Sequence, residues 1–70
     1  MQGVVKVYDP ETGFGEIVRD DDHSSVYLRP GSLRGSIFRT LRQGQRIVFQ
    51  TDAQDDRLFA HTIRIGSDGY

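Results

Sequence analysis

The sequence predicts an all-β domain, a small five-stranded antiparallel barrel. Three observations carry that prediction. Short apolar runs alternate with polar residues at a period of two, and each run is bounded by Asp, Gly or Pro. Nowhere do apolar residues keep a helical period over three turns. At 70 residues the chain is one domain, too small to bury more than about 60% of the surface its unfolded form exposes.

The elements follow in order. GVVKVY, residues 3–8, is Val-rich and forms the first strand. DPETG, residues 9–13, turns the chain, because Asp, Pro and Gly each favour turn geometry. Residues 14–19 form the second strand, and Asp20, Asp21 and Asp22 break it into a polar hairpin tip. SSVYLR, residues 24–29, is the third strand, ended by Pro30 and Gly31. Residues 32–44 make a longer connection, expected to hold one short helical turn. QRIVFQT, residues 45–51, is the fourth strand; DAQDD, residues 52–56, is the next turn; RLFAHTIRI, residues 57–65, is the fifth. The domain is expected to span 1–66, with residues 67–70 a frayed tail. Five short strands with one long connection between the third and fourth make a Greek-key barrel, of which the OB-fold is the common five-stranded form.

Period-two alternation separates the faces. The expected core is Val5, Ile17, Val26, Leu28, Leu33, Ile47, Phe49 (or Val48), Ala60 and Ile63. Phe14, Glu16, Tyr27 and Arg29 then share one outer face. Facing opposite charges on adjacent strands stabilise a sheet, so Glu16 and Arg29 are expected to pair. The competing use of Arg29 is to stack on a base and attract phosphate.

Composition excludes several classes. With no cysteine there is no disulfide framework and no thiolate metal site. No apolar run approaches the ~18 residues of a membrane span, and the N-terminus lacks a signal-peptide layout. A cytoplasmic location without membrane contact is expected. The net charge of −1 names no partner, but five arginines (29, 34, 39, 42 and 46) lie in a stretch without an acid, so one face can be positive. Gly13-Phe14-Gly15 has no third glycine opening a helix and is not a phosphate loop; its glycines serve backbone closeness. Asp20 to His23, DDDH, lacks the spacing and closing Glu of a calcium loop. His23 and His61 have no nucleophile signature near them. No enzyme activity, cofactor or metal is expected.

The segments just read resemble the cold-shock domain family across nearly the whole chain. GVVKVYD looks like the family's G-x-V-K-W-F-N, TGFGEI like K-G-F-G-F-I, and SVYLRP like D-V-F-V-H-F. IFRTLRQGQRIVF is similar to G-F-R-T-L-x-E-G-Q-x-V-x-F, and AHTIRI sits where the family has A-x-N-V. The resemblance implies an OB-type barrel that binds single-stranded RNA or DNA as an RNA chaperone. It also implies base-stacking roles for Tyr8, Phe14, Tyr27 and Phe38, and a backbone contact for Lys6; the charges of Arg29 and Arg39 add phosphate contacts. Four positions depart: Val7 for a stacking Trp, Glu16 for a central Phe, Arg29 for a stacking His and Pro30 for another Phe; Thr12 also removes a basic contact. These departures leave a second reading, a barrel that has lost nucleic-acid binding and serves as a protein-interaction module. An exposed aromatic face also leaves a homodimer open.

Overall fold

A computed structural model describes residues 1–36 and 38–66. Five strands are present: β1 (Gln2–Tyr8), β2 (Gly15–Arg19), β3 (Ser25–Leu28), β4 (Arg46–Gln54) and β5 (Arg57–Ile65). They close into a barrel in the order β1-β2-β3-β5-β4. All neighbours are antiparallel except β3 and β5, which meet in parallel where Tyr27 faces Phe59. The expected tail, residues 67–70, lies outside the described residues.

The core is a single apolar cluster of Val5, Ile17, Val26, Leu28, Leu41, Ile47, Phe49, Ala60 and Ile63. Two expectations change. Leu33 is only half-buried, packed on the rim of the cluster, and Leu41 takes a place inside it. Both lie on the β3–β4 connection, where no strand period tells which residue turns inward. That connection also holds no helix among its described residues. Single turns follow one another instead, closed by Ser32 N–H to Arg29 carbonyl (2.9 Å), Arg34 to Gly31 (3.0 Å) and Ser36 to Leu33 (3.1 Å). Gly31 and Gly35, both at positive φ, interrupt any helical run.

The β4–β5 hairpin is tighter than the expected turn over residues 52–56. β4 continues through Asp52, Ala53 and Gln54, paired with Phe59, Leu58 and Arg57. Only Asp55 and Asp56 are left to turn, with φ of 52° and 65°. Two successive positive-φ residues match a right-twisted hairpin, and Asp tolerates that region better than most side chains. Pairing thus draws three residues of poor strand propensity into the sheet.

Two bulges break the alternation. In the β1–β2 ladder Val5 faces Ile17 and Val7 faces Glu16, which leaves Lys6 as an extra residue. In the β4–β5 ladder Val48 faces Arg64 and Gln50 faces His61, so β5 carries the extra residue. Thr62 lies in this second bulge with φ of 54°. It brings Ile63 back to the core three positions after Ala60. The two glycines flanking Phe14 have distinct duties. Gly13 turns at φ +81°, while a Cβ on Gly15 would meet the Val7 carbonyl oxygen at 2.5 Å.

Candidate nucleic-acid interface

The registers align one residue from each strand across the outside of the barrel: Val7 on β1, Glu16 on β2, Tyr27 on β3, Phe59 on β5 and Asp52 on β4. Directly opposed residues share a face, so this row is the backbone of the candidate surface. It carries carboxylates at its second and fifth positions and two rings at its third and fourth.

Glu16 is held locally. Ser25 Oγ donates to its Oε2 at 2.5 Å, and Lys6 Nζ stands 3.8 Å from the same oxygen. The expected pairing of Glu16 with Arg29 does not form. Arg29 turns the other way, toward β5: its guanidinium lies 4.4 Å from the Phe59 ring centroid, and its Nη1 donates to Gln54 Oε1 at 2.5 Å. The reason is β5, which lies next to β3 on the side away from β2 and offers Arg29 a ring face and an amide oxygen. Glu16, in turn, meets the cation that the β1 bulge displaces toward it.

Arg29 itself is anchored by a reciprocal pair. The Arg29 N–H donates to Ser32 Oγ at 2.8 Å, and the Ser32 N–H donates to the Arg29 carbonyl at 2.9 Å. Ser32 is buried by that arrangement. The Tyr27 and Phe59 rings are 6.3 Å apart and tilted by 53°, and the Arg57 guanidinium lies 5.5 Å from the Tyr27 centroid. Arginine, Phe, Tyr and arginine therefore follow one another across β3 and β5. Phe59 lines two shallow grooves, one of about 300 Å³ shared with Arg29, Arg34, Asp52 and His61, the other of about 440 Å³ shared with Arg29, Gln54, Asp55 and Arg57.

The remaining expected site residues are dispersed. Phe14 stands 57% exposed just before β2, and Val7 is 51% exposed on β1. Tyr8 is half-buried against the core, because the Lys6 bulge turns Val7 outward and Tyr8 inward opposite Gly15. Phe38 is likewise half-buried on the core from the β3–β4 connection, while Arg39 beside it is exposed. Phe59 and Arg57 were not among the expected site residues. Alternation with buried Ala60 marks Phe59 as outward, but its neighbourhood with Tyr27 exists only through the parallel closure of β3 on β5.

The hairpin tip between β2 and β3 is closed on itself. Arg19 Nη2 donates to Asp21 Oδ2 at 2.6 Å, and the Ser24 N–H donates to Asp22 Oδ1 at 2.9 Å. That backbone hydrogen bond is the main cause that lowers the Asp22 pKa below its ordinary value. Asp20 is bonded by Arg46 across from β4. Among the described residues no group of three or more His, Cys, Asp or Glu side chains converges as a metal site would require. Nor is any helix there long and apolar enough to cross a membrane.

The family model described as 'Cold-shock' DNA-binding domain matches residues 1–66. The chain belongs to this family. It is 39% identical over 49 residues to the probable cold shock protein A of Mycolicibacterium smegmatis, covering 70% of this chain and 73% of that protein. It is 34% identical over 52 residues to the cold shock-like protein CspJ of Salmonella typhimurium, and 33% identical over 52 to the cold shock-like protein CspG of Escherichia coli, with 74% of each chain covered in both cases. Cold-shock domains bind single-stranded nucleic acid. The closed five-strand barrel is that of this family, and its outer row crosses all five strands.

Proposed function

We propose that this cold-shock domain binds single-stranded RNA or DNA through a reduced aromatic surface in which charge replaces part of the stacking. The observation that carries the reading is the outward row with Tyr27 at its centre, Phe14 exposed at one end of β2, and Lys6 and Arg29 on either side. Phe14 and Tyr27 stack bases. Lys6, Arg29 and Arg39 contact phosphates. Tyr8 and Phe38 contribute ring edges from their half-buried positions. Each base–aromatic stack is worth on the order of 1–3 kcal/mol, so Val7, Glu16 and Pro30 in place of rings lower affinity by several kcal/mol. What remains depends on cations, and its affinity falls steeply with salt.

Fluorescence titration of labelled single-stranded oligonucleotides, pyrimidine-rich and purine-rich, at low and physiological salt tests the proposal. Micromolar or tighter binding that weakens with salt and with Phe14→Ala and Tyr27→Ala supports it. No binding even at low salt overturns it and favours a protein partner for the same face, the use to which Glu16, Val7 and Pro30 are better suited.

A further inference from the structure

The geometry points to a second stacking site centred on Phe59, so that a single strand bound along this row continues over β3 and β5. The inference rests on the nucleic-acid reading above and extends its track. The β1–β2 half of the row is poorly equipped for bases. Val7 offers no ring, and Glu16 holds a carboxylate that Lys6 and Ser25 already engage. A phosphate approaching Lys6 there must compete with Glu16 for it.

The β3–β5 half is richer in rings and cations, although Asp52 and Asp55 line the grooves beside Phe59. Tyr27 and Phe59 are direct cross-strand neighbours, and each ring face is covered by a planar guanidinium, Arg57 on Tyr27 and Arg29 on Phe59. A guanidinium and a base are both flat groups that stack on an aromatic ring, so the faces are shaped and sized for a base. When a base takes the place of the guanidinium, the arginine is left on its tether beside the strand, where it meets the phosphates. The grooves on either side of Phe59 give the flanking nucleotides room, and Arg34 lies in one of them. Among the described residues the Arg29 guanidinium is held by the Phe59 ring face and one amide oxygen from Gln54. The ligand class is an unpaired base with phosphates on both sides; the two arginines set no base identity.

The chain has no Trp, which gives the test a clean signal. Phe59→Trp and, as a control on the other half, Val7→Trp each introduce a single indole. Labelled oligo-thymidine and oligo-adenosine of about eight nucleotides are titrated into both variants, the natural chain, Phe59→Leu and Phe14→Ala, with thermal unfolding checking that each is folded. Expected results are quenching of the Phe59→Trp emission on binding and about 5- to 150-fold weaker binding for Phe59→Leu, the loss of one stack. Arg57→Ala is expected to reduce the salt dependence by about one phosphate contact. If the natural chain binds and Phe14→Ala weakens it, but Phe59→Leu binds as well as the natural chain or the Phe59→Trp emission is unchanged, the β3–β5 track is refuted and the nucleic-acid reading survives. Failure of the natural chain to bind either oligonucleotide at low salt refutes both.

Discussion

Glu16→Phe is the substitution that probes this surface most directly. Glu16 faces Val7 on one side and Tyr27 on the other, at the middle of the outward face, so a ring placed there lies beside Tyr27. Two gains add. A new stack contributes roughly 1–3 kcal/mol. The Lys6–Glu16 contact at 3.8 Å amounts to about 1 kcal/mol in water and less under salt, and its removal frees Lys6 for phosphate. Binding of a single strand is therefore expected to tighten by about 5- to 150-fold from the ring alone, and the salt dependence is expected to steepen by about one phosphate contact. Glu16→Gln separates the two effects, since it frees Lys6 without adding a ring: its gain is expected to be small and confined to low salt. The cost falls on stability, because Ser25 Oγ loses its acceptor, about 1 kcal/mol at most for a half-exposed hydroxyl. The assay is fluorescence anisotropy with labelled oligonucleotides over a salt series. Unchanged affinity for Glu16→Phe in a folded protein would refute the argument that this row contacts bases.

Three further outcomes follow from the backbone and the hairpin tip. Thr62→Asn is expected to stabilise the barrel by about 1 kcal/mol, or about 4–8 °C in Tm, because a β-branched residue at φ 54° is strained where Asn is tolerated; Thr62→Val, which keeps the branching, should show no gain in the same melts. Gly15→Ala is expected to cost about 1–3 kcal/mol by chemical denaturation, since its Cβ would meet the Val7 carbonyl oxygen and β1 would have to move away. Asp22 is expected to titrate below the ordinary aspartate range in a carbon-13 NMR titration, because the Ser24 N–H favours its charged form. A depressed folded pKa means that the stability from this group is present above the unfolded value and is lost as pH falls through the folded one. The stability difference between the natural chain and Asp22→Ala should therefore shrink on acidification, and a pH-independent difference would contradict it.

The fold was legible because its signals are local. Asp9, Pro10 and Gly13 turn the chain, Pro30 and Gly31 end β3, and alternation in IVF and GEIVR separates faces without reference to any neighbour. The candidate site was legible only where it obeyed the same alternation. Phe14, Glu16 and Tyr27 could be placed outward because β2 and β3 are joined by a short hairpin and pair in the register that hairpin allows. Tyr8 could not be placed, because one extra residue at Lys6 inverts every side chain after it, and the apolar pattern VVKVY reads equally well with or without a bulge. Leu41 escaped for a related reason: a chain of turns has no period to read.

Sequence by itself determined that this chain is a five-stranded barrel, roughly where its strands lie, and which strand residues fill it, but not Leu41 or the tight β4–β5 hairpin. What it determined depends on turn chemistry and on a two-residue period, both carried within a few adjacent positions. The tertiary structure alone decided the partners of the two charges on the outer face. Arg29 lies over Phe59 rather than against Glu16 because closing the barrel sets β3 beside β5, a segment about thirty residues further along the chain. Glu16 meets Lys6 because a bulge displaces that lysine. Contacts between distant strands follow from closure of the whole sheet, and no local pattern encodes them.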